Sequence, residues 1–130
     1  MKKMILVVDD SPADIELTTI AIEATGREIC VHSAQDGKAA LEILRSGHGL
    51  PALILLDLKM PGMNGIEVLC EMRKEGHLKE IPVVVLTSSA LEADMTDAIA
   101  AGANGYIQKP LALHQFSIVL ESIVQHWLPN

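Results

Sequence analysis

Three runs of uninterrupted apolar residues, each of strand length and each closed by a polar side chain, constrain this chain more than any other feature. They are residues 4–8 (MILVV) before Asp9, residues 52–56 (ALILL) before Asp57, and residues 82–86 (PVVVL) before Thr87. A strand without polar alternation has to be covered on both faces, as in parallel sheets packed between helices. The segments between the runs carry a helical period. Ser11, Pro12 and Asp14 read as an N-cap, a first helical residue and the closing member of a capping box. Leu17, Ile20, Ala21 and Ala24 follow as the expected buried stripe. A second helix is expected over Gly37 to Arg45, with Ala40, Leu41 and Leu44 inward and Gly47 as its stop. A third follows residues 61–65 (PGMNG), with Ile66, Leu69 and Cys70 inward. A short Ala-rich helix over residues 92–101 and a last one bearing Phe116, Val119, Leu120, Ile123 and Trp127 complete the set. Residues 28–32 and a brief segment around Tyr106 and Ile107 supply two weaker strands.

Five strand–helix units of this kind imply an α/β fold: a doubly wound five-stranded parallel sheet with helices on both faces. The strand order expected is 2-1-3-4-5, the flavodoxin-like one of the common doubly wound arrangements. With 130 residues, 49% of them apolar, the chain reads as a single domain over residues 1–130. No apolar run approaches the roughly 18 residues that a membrane-spanning helix needs. The two lysines and short apolar run at the start resemble a leader segment, but the run stops after five residues at two aspartates, so it reads as a strand. A cytoplasmic protein is expected. Cys30 and Cys70, with no paired spacing, read as buried inert thiols. The formal charge of −7 argues against nucleic acid and against an anionic membrane surface, both of which need a basic stripe.

In a parallel sheet all the C-terminal strand ends point at one edge, where ligands bind near the switch in strand order. The residues expected there are Asp9 and Asp10, Asp57, Thr87 and Lys109. Three carboxylates in one pocket repel: two like charges about 4 Å apart cost roughly 4 kcal/mol at an effective dielectric of about 20. A raised pKa, the Lys109 ammonium or a divalent cation has to offset that. Hard oxygen ligands without nearby His or Cys point to Mg²⁺. A carboxylate beside Mg²⁺ and an ammonium is suited to accept a phosphoryl group, since that transfer is catalysed by positioning and charge stabilisation. Mg²⁺ would take one phosphoryl oxygen, Lys109 a second, and the Thr87 hydroxyl with a backbone N–H the third. Each of these residues taken alone also fits a plainer role: Asp9 and Asp10 a strand-to-helix turn, Lys109 a solvated surface lysine, Tyr106 a packing residue. The five histidines show no ligand spacing and read as surface residues.

From Met4 to Trp127 the sequence resembles the receiver domains of two-component signalling. The motifs that carry the resemblance are Val8-Asp9-Asp10-Ser11-Pro12, Leu56-Asp57-Leu58-Lys59-Met60-Pro61-Gly62-Met63-Asn64-Gly65, Val85-Leu86-Thr87-Ser88-Ser89 and Gly105-Tyr106-Ile107-Gln108-Lys109-Pro110. Each is weak alone; four in order at strand ends are specific. The resemblance implies Asp57 as phosphoacceptor, Asp9, Asp10, Asp57 and the Lys59 backbone carbonyl as Mg²⁺ ligands, and Lys109 as the family's lysine. It also implies Thr87 and Tyr106 as switch residues and a cis Lys109–Pro110 peptide. Lys59 departs from the asparagine common at its position, and with Ser89 it stands where the family tunes acyl-phosphate hydrolysis. Within the family the opening Asp10-Ser11-Pro12-Ala13-Asp14 and the late Trp127 are similar to stand-alone regulators that partner phytochrome-type kinases.

The expectation is therefore a phosphorelay switch module without an output domain, not a metabolic enzyme, whose only activities are its own phosphorylation and dephosphorylation. Its partners would be a sensor histidine kinase or phosphotransfer protein, a downstream protein, and a second copy of the chain. Two other classes fit the architecture less well. An FMN carrier would want a hydroxyl- and glycine-rich phosphate loop after the first strand, and aromatics, which are 2% here. An aspartyl phosphohydrolase would want a second Asp where Lys59 stands, and a cap domain.

Overall fold

The three continuous apolar runs become the three central strands of one sheet. In the computed structural model, which describes residues 2–109 and 112–129, the strands are β1 (Lys3–Val8), β2 (Ile29–Ala34), β3 (Leu53–Leu56), β4 (Val83–Thr87) and β5 (Gly105–Gln108). All pair in parallel, in the order β2-β1-β3-β4-β5. The helices are α1 (Pro12–Glu23), α2 (Gly37–Arg45), α3 (Gly65–Lys74), α4 (Glu92–Ala100) and α5 (Leu113–Trp127). Among the described residues no helix is long and apolar enough to cross a membrane. The cis bond expected at Lys109–Pro110 lies outside the described residues.

Side chains alternate across the sheet into two cores. Leu6, Val8, Ile54, Leu56, Val83 and Val85 pack with the inward residues of α2, α3 and α4. Ile5, Val7, Leu53, Leu55, Val84 and Leu86 pack with Ala21 and Ile22 of α1 and with Phe116, Leu120, Ile123 and Val124 of α5. Each such aliphatic side chain contributes on the order of 1.5–3 kcal/mol by burial. The weak second strand is two residues longer at its far end than the sequence suggests, because β1 supplies partners as far as Ala34.

Helix faces are where the sequence misleads. On α1 the buried residues are Thr18, Ala21 and Ile22, whereas Leu17, Ile20 and Ala24 are exposed. Apolar residues occur nearly all round this helix, so its period does not single out one face. Thr18 tolerates burial because its hydroxyl donates to the Asp14 carbonyl at 2.8 Å. On α3 a capping box between Asn64 and Glu67 starts the helix at Gly65. That start turns Val68, Leu69 and Met72 inward and leaves Cys70 exposed; Cys30, on the edge strand, is half-buried. Neither thiol is the buried one expected.

Two devices fix the loops. The Arg73 guanidinium donates to the carbonyls of Gly102 (2.7 Å), Lys79 (3.0 Å) and Ile81 (3.1 Å), tying the end of α3 to the connections on both sides of β4. Gly65 lets α3 begin against the end of β3: an added Cβ would lie 2.4 Å from the Asp57 carbonyl oxygen. That neighbour is backbone and cannot step aside. Gly65→Ala is therefore expected to lower unfolding stability by about 1–3 kcal/mol. Gly76→Ala, with open space around it, should be close to neutral. Urea midpoints of the two variants check this, and equal midpoints would contradict it.

Candidate functional site

The backbone ladder runs one residue past the strand ends. The N–H of Asp9 donates to the Ala34 carbonyl (3.1 Å), that of Asp57 to Val8 (2.9 Å) and that of Lys109 to Thr87 (2.8 Å). Each side chain thus leaves a backbone already held by the neighbouring strand, and the three converge at one edge of the sheet. One carboxylate oxygen from each of Asp9, Asp10 and Asp57 lies within 4.8 Å of the others. Asp9 and Asp57 are buried and Asp10 is exposed. Hard oxygens alone make up the set, which fits Mg²⁺ and fits zinc or copper poorly.

The Lys109 ammonium stands among these acids, 2.6 Å from Asp9 Oδ2, 2.9 Å from Asp14 Oδ2 and 3.5 Å from Asp57 Oδ2. Burial works against its charge. Hydrogen bonds to Asp9 and Asp14 and the charges of Asp57 and Asp9 more than offset that, and hold the ammonium above its ordinary pKa. Asp9 is pushed up chiefly by burial, against the hydrogen bonds from Lys109 and the Ser11 N–H that favour its charged form. One ammonium divided among three carboxylates does not return to Asp9 all that desolvation removes. Asp57 Oδ1 accepts the Lys59 N–H at 3.2 Å.

Thr87 is fully buried at the end of β4, and its hydroxyl oxygen accepts the Ser89 N–H at 3.4 Å. Tyr106 is half-buried, and its hydroxyl donates to the Ser89 carbonyl at 3.1 Å. Lys59 turns its side chain outward to Asp94 Oδ2 (3.1 Å), which also accepts the Ser89 hydroxyl (2.5 Å). These two bonds, the Ser89 hydroxyl's first and the Lys59 ammonium's second, hold the Asp94 carboxyl below its ordinary pKa.

The structure gathers Asp9, Asp10, Asp57 and Lys109, and sets Thr87, Tyr106 and Lys59 around them. Two acids were missed. The sequence pattern places Asp14 in a capping box, but the Ser11 N–H donates to Asp9 Oδ1 and the Asp14 carboxylate accepts from Lys109. The Ser11 half of the cap is present, with its hydroxyl accepting the Asp14 N–H at 3.2 Å. A second acid one turn beyond a strand-end pair was the available signal. Asp94 carried none, since acids are ordinary in a helix's first turn.

A family model described as the response regulator receiver domain matches residues 5–121. The probable methanogenesis regulatory protein FilR2 of Methanothrix harundinacea (strain 6Ac) is 38% identical over 129 residues, 96% of this chain and 83% of that protein. Among solved structures, the phosphorylated cyanobacterial phytochrome response regulator RcpA superposes with a TM-score of 0.94 at 36% identity, over 99% of this chain and 96% of that one. The Mn²⁺-bound response regulator Rcp1 does so with a TM-score of 0.90 at 34% identity, over 98% and 96%.

The Asp9 environment generates a pH prediction. Its folded-state pKa lies above the ordinary 3.8, so its charged form opposes folding near neutral pH, and the opposition fades as pH falls through the raised value. Asp9→Asn is expected to stabilise the metal-free protein near neutral pH, with the gain gone below 3.8. Urea unfolding at the two ends of that window measures it; a gain that persisted in acid would contradict the cause given.

Proposed function

This chain belongs to the response regulator receiver family, and from that premise we propose that Asp57 accepts a phosphoryl group from the phosphohistidine of a sensor histidine kinase or phosphotransfer protein. The observation that carries the reading is the place of Asp57: a buried carboxylate between an ammonium and two further carboxylates, at the end of a central strand. A carboxylate oxygen of Asp57 would attack phosphorus as the P–N bond to the donor imidazole breaks, the imidazole leaving with the electron pair. Asp9, Asp10, Asp57 and the Lys59 backbone carbonyl would hold Mg²⁺, which supplies neutralisation of the charge on the phosphoryl oxygens. Lys109 would pair with a second oxygen and the Thr87 hydroxyl with a third. The same pocket would hydrolyse the acyl phosphate slowly, with Lys59 and Ser89 at its rim. No other turnover is proposed.

The switch would run through Thr87. A hydrogen bond from its hydroxyl to the phosphoryl group contributes roughly 1.5–3 kcal/mol, enough to move a two-state equilibrium about tenfold or more. Thr87 and Tyr106 both engage Ser89 in this state, so a displaced Thr87 releases a bond on the residue that holds the Tyr106 hydroxyl. Strand β5 and helices α4 and α5 form the surface that would change for a downstream protein or a second copy.

Incubation with Mg²⁺ and acetyl phosphate should add one phosphoryl mass to Asp57, not at all in Asp57→Asn and much more slowly in Asp10→Ala. Mapping of the group to another residue in the wild type would overturn the assignment. Beryllofluoride should shift amide signals across residues 87–109, beyond the pocket, and Thr87→Ala should confine the shifts to the pocket. If Thr87→Ala responded like the wild type, the domain would be a relay without this switch.

A further inference from the structure

We propose that Asp14 is a positioning residue that competes with the phosphoryl group for Lys109 and thereby restrains how readily the pocket takes up an anion. The inference rests on the reading of Asp57 as phosphoacceptor. Its ground is that the Lys109 ammonium lies nearer to Asp14 Oδ2, at 2.9 Å, than to Asp57 Oδ2, at 3.5 Å. Three donors on that nitrogen meet three carboxylates, and the one meant to receive the phosphoryl group is held least closely.

The Asp14 side chain is 41% exposed, yet the backbone that carries it is fixed. Pro12 at the start of α1 and the Ser11 hydroxyl on the Asp14 N–H at 3.2 Å fix the first turn, and the side chain leaves from a set place. Its carboxylate also forgoes the local partner that the helix start offers, because Asp9 Oδ1 takes the Ser11 N–H. Lys109 reaches Asp14 across the sheet edge, from the far end of the chain. Charge-assisted bonds of this type are roughly twice as strong as neutral ones.

An incoming phosphoryl group must draw the ammonium away from Asp14 and be accommodated beside a fourth negative charge. Exchanging that carboxylate for an amide keeps the volume and an oxygen acceptor but removes the charge. The ammonium is then shared between fewer anions, and more of it is available to phosphoryl oxygens, which carry more charge than the Asp57 carboxylate they replace. The consequence is a gain of function, which a residue serving only to hold the fold would not give.

The test is titration of wild type, Asp14→Asn, Asp14→Ser and Asp14→Glu with beryllofluoride in Mg²⁺, alongside the ¹H–¹⁵N signal of the Lys109 ammonium. Asp14→Asn and Asp14→Ser should bind beryllofluoride roughly threefold to tenfold more tightly, with the Lys109 signal moved. They should also take up phosphoryl groups from acetyl phosphate faster, and Asp14→Glu should stay near the wild type. Unchanged or weaker binding, tighter binding with an unmoved Lys109 signal, or loss of folding in both neutral variants would each overturn the inference. If the wild type itself takes no phosphoryl mimic at Asp57, the phosphoacceptor reading falls and this inference falls with it.

Discussion

The ammonium of Lys109, set among Asp9, Asp14 and Asp57, is the contact that makes the rest of the site possible. Without it, the buried carboxylates of Asp9 and Asp57 and the partly exposed one of Asp14 would be gathered with no ammonium beside them. The balance is partial, since the Asp9 carboxyl is still held above its ordinary pKa and three carboxylates share one ammonium. The pocket remains acidic after its own lysine is counted, and its donors are all hard oxygens, a set that fits a divalent cation such as Mg²⁺.

Precision at the site comes from the sheet more than from the side chains. Asp9, Asp57 and Lys109 each stand one residue beyond a strand, yet their N–H groups remain in the ladder of the adjacent strand. Two cores then clamp the sheet from both faces, and Gly65 brings the start of α3 against the Asp57 carbonyl. The backbones of Asp9, Asp57 and Lys109 are thus referred to the strands, whereas Asp10 and Lys59 stand in the loops that follow.

Around the rim an unbroken set of bonds joins the pocket to the outer elements. The Lys59 N–H meets Asp57, its ammonium meets Asp94, Asp94 accepts the Ser89 hydroxyl, and Ser89 engages both Thr87 and Tyr106. The chain therefore joins the end of β3, the first turn of α4 and strand β5. Asp57 is thus linked through Lys59, Asp94 and Ser89 to both Thr87 and Tyr106.

The fold class, the strand order and the central acids with Lys109 were legible in the sequence, because buried parallel strands have a recognisable composition and topology places their C-terminal ends together. The family motifs singled out Thr87 and Tyr106, which the structure joins through Ser89. What the sequence by itself did not determine is which face of α1 is buried, why Cys70 is exposed, and that Asp14 serves Lys109 instead of its own helix cap. Each of these depends on how an element is rotated against its neighbours, or on a partner about a hundred positions away in the chain. Local periodicity and capping rules weigh only neighbours in sequence; the contact between Asp14 and Lys109 exists only once α1 and the end of β5 are brought to the same edge of the sheet.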